Sequence, residues 1–169
     1  MTAMTAVLTC YIKIPTQSGY LHIGDSVIYI AACLLPTPLA MLCGALGGMF
    51  ADLLGGYTLY ALPSLIIKAL LAIAFDSKGT KIVSKRNAAA SVIASAITAA
   101  GYYLAEVLIL AFSSSAEACQ FKAALFSPVP WSAAFYTLPG NLIQAAASAA
   151  VFFIIGTALD KAKIKTRLK

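Results

Sequence analysis

A chain of 169 residues that is 61% hydrophobic and only 11% charged lies far above the roughly 45–50% apolar content of soluble domains. Its mean hydropathy of +0.89 excludes a soluble enzyme and implies an all-α, polytopic membrane protein. At about 20 residues per span the length accommodates about six helices in one transmembrane domain covering residues 1–169, with no room for a separate catalytic domain.

The formal net charge of +6 is gathered in two clusters, Lys78, Lys81, Lys85 and Arg86, then Lys161, Lys163, Lys165, Arg167 and Lys169. Both follow apolar segments, as cytoplasmic ends do. That placement argues against nucleic acid and for contact with anionic membrane lipid.

Residues 1–14 read as a first apolar helix ended by Pro15. At 1.5 Å per residue it reaches about 21 Å, short of the hydrocarbon core. It therefore starts within the membrane region, or its true beginning lies upstream. No basic segment of a secretory signal precedes it, so Met1 is read as part of the mature chain. Thr2, Ala3 and Ala6 give it a small-residue surface that another helix can approach closely.

Residues 15–25 form a loop containing Gly19-Tyr20-Leu21-His22-Ile23-Gly24-Asp25. Its glycines allow tight folding and close backbone approach to a bound molecule. The chain's single histidine lies here. Asp25 reads as the N-cap of the following helix, a role compatible with ligand binding.

The apolar run 27–54 is interrupted by Pro36-Thr37-Pro38, which predicts two helices, 26–35 and 39–54, with one kinked helix as the alternative. Ala40, Gly44, Gly48 and Asp52 recur every four residues and form one small-residue stripe, turning Asp52 toward protein. Gly55-Gly56 ends the helix, and Tyr57 and Tyr60 sit in an interfacial segment.

Pro63 suits the first turn of the next helix, running to Phe75 with Ser64, Lys68 and Ala72 on one face. The polar, basic segment 76–87 is cytoplasmic. A fifth helix covers 88–111 and carries Tyr102, Tyr103 and Glu106. Residues 112–130, with Ser113-Ser114-Ser115, Glu117 and Lys122, form an outer loop. Trp131 and Tyr136 anchor the last helix at an interface; it continues through Pro139-Gly140-Asn141 to Leu159. Six helices place both termini in the cytoplasm and residues 19–25 outside, whereas five would place that loop inside.

Asp52, Lys68, Glu106, Asn141 and Gln144 are polar groups within apolar segments. Each charge costs at least about 2.5–3.5 kcal/mol in a bilayer, so such groups line a site or pair with one another. Bland roles stand beside the binding role: Lys68 snorkelling, Asp52 bracing the glycine turn, Glu106 pairing with Lys68, and Asn141 and Gln144 bonding between helices. Cys10, Cys33, Cys43 and Cys119 have no paired spacing, so neither a disulfide framework nor a metal site follows. No phosphate loop, serine–histidine elbow or histidine cluster is present in the sequence. The chain reads as a non-enzyme without cofactor.

The run from Gly19 to Asp25, the Pro36/Pro38 turn, Gly44-Ala45-Leu46-Gly47-Gly48 with Asp52-Leu53-Leu54, Ile66-Ile67-Lys68 and Leu138-Pro139-Gly140-Asn141 together resemble an energy-coupling factor (ECF) transporter S component. The branches most similar are the hydroxymethylpyrimidine/pyridoxine and riboflavin types. The resemblance implies six membrane helices, a lid-like first outer loop and capture of a small aromatic vitamin or precursor in the bacterial cell membrane. Hydroxymethylpyrimidine or pyridoxine is the first reading of that substrate, with riboflavin or another micronutrient as the alternative. It implies partnership with a transmembrane coupling protein and two cytoplasmic ATPases. In such proteins small residues of the first helix face the coupling protein, often as Ala-xxx-Ala. Here Ala3 is followed by Val7 at that spacing, while Thr2 and Ala6 have it. The substrate-binding set expected is His22, Asp25, Asp52, Tyr57, Lys68, Tyr103, Glu106, Trp131, Asn141 and Gln144. The second reading is a non-transporting membrane scaffold, supported by the small-residue stripe.

Overall fold

The computed structural model describes residues 1–16, 19–115 and 118–167; Glu117 and Lys169 lie outside the described residues. Helix α1, Thr2–Tyr11, leads into strands β1, Lys13–Thr16, and β2, Gly19–His22. These pair as an antiparallel hairpin with Lys13 opposite His22 and Pro15 opposite Tyr20. Sequence reasoning expects a plain loop here. Pairing of Lys13–Thr16 with Gly19–His22 instead lets the two arms satisfy each other's backbone groups.

Helices α2, Asp25–Leu34, and α3, Thr37–Gly55, follow. They are separate helices joined through Leu35 and Pro36, whose extended backbone cannot continue α2. Gly56 ends α3 in the left-handed region at φ 84°, which lets Tyr57 N–H reach back to the Asp52 carbonyl at 2.8 Å. That reversal starts α4, Thr58–Ile73, immediately. Pro63 consequently stands inside α4, not in its first turn as the sequence suggests.

Helix α5 spans Lys85–Ser113 and is capped by Ser84, whose hydroxyl accepts the Asn87 N–H at 3.2 Å. The segment expected as an outer loop carries two short helices, α6, Ala118–Phe126, and α7, Pro128–Phe135. The final apolar helix starts only after a break at Tyr136 and Thr137, as α8, Leu138–Lys161, followed by α9, Ile164–Arg167. Pro139 fits the first turn of α8 because its missing N–H needs no partner there.

Among the described residues six apolar helices reach ten residues or more: α1, α2, α3, α4, α5 and α8. Of these, α3, α5 and α8 are long and apolar enough to cross a membrane by themselves. This is an all-α, polytopic membrane fold with one small hairpin.

Helix α2 is its axis. Every residue from Asp25 to Cys33 is buried, as a helix apolar on all sides requires. Tyr29 stacks on Phe75 at 4.8 Å, and the Phe152 ring meets both edge-on. Asp25 is the first residue of α2 rather than its cap; Gly24 takes the cap position, with no side-chain cap bond. Gly24 is held there by sterics, since a Cβ would fall 1.9 Å from Thr9 Oγ1 of α1.

The stripe on α3 is fully inside the protein: Ala40, Gly44, Gly48 and Asp52 are all buried. It faces Lys68 and Ser64 of α4, while Gly47 on the neighbouring face receives Thr5 of α1. On α1, Thr2 donates to Cys43 Sγ at 3.4 Å, Ala6 is half-buried and Ala3 is exposed. The expected partner-facing surface is therefore divided, with Ala3 and Val7 together on the outer side.

The end of the bundle bearing the basic clusters is tied together by polar contacts. The Asp160 carboxylate accepts the backbone N–H groups of Ile82 and Val83 at 2.7 and 2.8 Å. The Asn87 amide donates to the Ile82 carbonyl at 2.9 Å and its oxygen accepts Asp76 N–H at 2.9 Å. Buried Lys165 donates to the carbonyls of Asp76 and Lys81. Arg86 pairs with Asp76 at 3.3 Å; the Lys78 N–H bonded to that carboxyl, and after it the Arg86 charge, hold it below its usual pKa.

Candidate functional site

At the opposite end, the hairpin, the C-terminal turns of α3 and α5 and the N-terminal turns of α4 and α8 enclose a cavity of about 500 Å³. That volume lies within the range of small-molecule sites. β2 supplies Tyr20, Leu21 and His22; α3 supplies Asp52; the α3–α4 junction and α4 supply Tyr57 and Tyr60. Tyr102, Glu106 and Leu110 come from α5, and Gly140, Asn141, Ile143 and Gln144 from α8.

Spacing explains these sets. Tyr102, Glu106 and Leu110 recur every four residues and share one face of α5, as do Gly140 and Gln144 on α8. The hairpin closes against this wall through Tyr20, whose hydroxyl donates to Asp52 Oδ1 at 2.5 Å and whose ring meets Tyr57 at 4.7 Å. Lys13 of β1 stands over both rings, at 4.9 and 5.6 Å from their centroids. Tyr60 donates to Glu106 Oε2. His22 Nδ1 accepts the Gly24 N–H at 3.1 Å, so its proton resides on Nε2 and the ring is a neutral donor.

Two buried polar atoms on this lining have no hydrogen-bond partner, Asp52 Oδ2 and Asn141 Nδ2. One is an acceptor and the other a donor. A buried group left without a partner costs about 1–3 kcal/mol, and a bound molecule carrying a complementary polar edge relieves both.

Six of the residues expected from sequence meet at this cavity: His22, Asp52, Tyr57, Glu106, Asn141 and Gln144. Asp25 and Lys68 do not line it. They form a buried ion pair at 2.6 Å behind the wall, so Lys68 neither snorkels nor pairs with Glu106. Tyr103 and Trp131 also lie elsewhere: their rings are 6.0 Å apart, Tyr103 donates to the Trp131 carbonyl, and the indole donates to the Leu125 carbonyl at 2.8 Å. They join α5 to the α6–α7 segment. The expected set leaves out Tyr20, Tyr60, Tyr102, Tyr136 and Thr137, which line the cavity. For Tyr102 a signal was present, since it precedes Glu106 by four residues and Tyr103 does not.

A bundle of apolar helices enclosing a polar, tyrosine-rich cavity at one end is the architecture of a membrane-embedded small-molecule binding protein. The chain belongs to the family described as ECF-type riboflavin transporter, S component, whose model matches residues 1–161. It is thus a membrane protein of the class that binds substrate for an ECF transporter. Of the two branches it resembles in sequence, the riboflavin description is the one matched. No curated protein matches the chain.

Proposed function

We propose that this protein captures riboflavin at the outer face of a bacterial cell membrane and presents it to a transmembrane coupling protein and two cytoplasmic ATPases. The observation that carries the reading is the cavity lining: five tyrosines, Tyr20, Tyr57, Tyr60, Tyr102 and Tyr136, around unpartnered Asp52 Oδ2 and Asn141 Nδ2. Tyrosine faces suit a flat fused-ring system, and the two unpartnered atoms suit a ring edge that carries both an N–H donor and carbonyl acceptors. The family's description names riboflavin. The cavity of about 500 Å³ also offers more room than the single ring of hydroxymethylpyrimidine or pyridoxine fills. A pure scaffold has no use for buried, unsatisfied polar groups on a cavity wall.

Charge supports this orientation. The exposed Lys78, Lys81, Lys85, Arg86, Lys161, Lys163 and Arg167 cluster at the end away from the cavity, as residues at a cytoplasmic end do, which agrees with a cavity open to the outside.

The test is titration of protein purified from flavin-depleted cells with riboflavin, read by quenching of flavin fluorescence. Saturable one-to-one quenching is expected. Absence of quenching, with binding of hydroxymethylpyrimidine or pyridoxine instead, refutes the assignment.

A further inference from the structure

Behind the cavity wall lies the one buried ion pair among the described residues, and it does not reach the cavity. Lys68 and Asp25 are 1% and 0% exposed. Burying such a pair generally stabilises a fold no better than apolar residues of the same volume. Their surroundings give the pair another use. Asp25 spends its first oxygen on Lys68 Nζ at 2.6 Å and its second on the Gln144 amide, whose Nε2 donates to Oδ2 at 3.4 Å. Lys68 Nζ lies 5.1 Å from the centroid of the Tyr102 ring. One turn earlier on α4, Ser64 shares a 2.7 Å hydrogen bond with the Tyr102 hydroxyl. Gln144 and Tyr102 both line the cavity, from α8 and α5. With its nitrogen committed to Asp25, the Gln144 amide is fixed in sense and its oxygen is left as the free acceptor.

We infer that Asp25–Lys68 is a positioning pair: it sets the orientation of the wall residues Gln144 and Tyr102, and through them substrate affinity, without touching the substrate. Asp25 opens α2 directly after the hairpin and Lys68 lies at the α3–α4 contact. The pair therefore ties the cavity wall to both the hairpin and the packed core. This inference rests on the flavin reading of the same cavity.

The experiment replaces the pair by apolar residues of similar size, Asp25→Leu/Lys68→Met, and measures riboflavin affinity and thermal unfolding side by side. The melting temperature should be unchanged or raised, since apolar replacement of both partners removes their desolvation. Riboflavin Kd should rise about tenfold. In a Gln144→Ala background the same double substitution should cost about threefold or less, because part of what it disturbs is already gone. A Kd within about twofold of wild type, or an equal loss in both backgrounds, overturns the inference. Should the Leu/Met variant not fold, Asp25→Asn/Lys68→Met is judged by the same criteria.

If the wild-type protein binds no riboflavin, the flavin reading alone falls. The positioning role is then decided by modification of Asn141→Cys with a thiol reagent in a background lacking the native cysteines. A rate changed several-fold by the Leu/Met pair supports it, and an unchanged rate overturns it.

Discussion

Gly44→Ala is the substitution for which the structure dictates the most. A Cβ built on Gly44 falls 2.4 Å from the Lys68 carbonyl oxygen and 3.1 Å from its carbon. Contacts of 3.4 Å are ordinary, so α3 and α4 must separate by about 1 Å at their crossing. The obstacle is helix backbone, which cannot rotate away as a side chain does. Overpacking of this kind costs about 1–3 kcal/mol, against which alanine regains nearly 1 kcal/mol of helix propensity. Because backbone is the obstacle, the cost falls in the upper part of that range, about 2–3 kcal/mol, so the net expectation is a loss of about 1–2 kcal/mol, or about 2–8 °C in melting temperature for a chain of this size.

Thermal unfolding of the purified protein in detergent measures it. Gly140→Ala serves as the comparison, because its Cβ would meet only Leu21 Cδ2 at an unstrained 3.6 Å and its melting temperature should hold or rise. A Gly44→Ala protein as stable as wild type would refute the claim that the α3 stripe exists to admit the α4 backbone.

Asn141→Ala should weaken riboflavin binding by about 5- to 150-fold, the equivalent of about 1–3 kcal/mol for a stranded polar partner, and leave melting unchanged because Asn141 Nδ2 has no partner in the protein. A loss of stability with unchanged affinity in the same titration would mark Asn141 as helix glue. Asp160→Ala removes the acceptor of two backbone N–H groups and should destabilise the fold by about 1–3 kcal/mol, while riboflavin affinity stays within twofold of wild type because the site is at the other end of the bundle. Affinity falling in step with stability would disprove that separation. In intact cells an impermeant thiol reagent should label Ser114→Cys and spare Thr166→Cys and Ser84→Cys, all in a background without native cysteines; the reverse pattern would invert the proposed orientation.

Much of the bundle was legible because periodicity and helix breakers are local properties. Pro36-Thr37-Pro38 separates α2 from α3 wherever those helices pack, and Ala40, Gly44, Gly48 and Asp52 share a face by geometry alone. What was missed depends on pairing. The arms of the β1–β2 hairpin are four residues each, too short to show a strand period. The position of Pro63 follows from how tightly Gly56 reverses the chain, which fixes the start of α4 before the proline can.

The same division runs through the site. The sequence marks which polar groups stand in apolar surroundings, and four of the five so marked, Asp52, Glu106, Asn141 and Gln144, do converge on the cavity. It does not say which of them satisfy one another. Asp25 and Lys68, separated by 43 positions, spend their charges on each other, and that leaves Asp52 and Asn141 as the groups with capacity to spare. Aromatic choice failed for a related reason. Tyr102 and Tyr103 are adjacent and chemically identical, and only the α5 face shared with Glu106 and Leu110 distinguishes the one on the cavity from the one packed on Trp131. In an apolar bundle the candidate site is thus defined by subtraction. Among the residues that line the cavity, those left unpartnered define the chemistry that a ligand must supply.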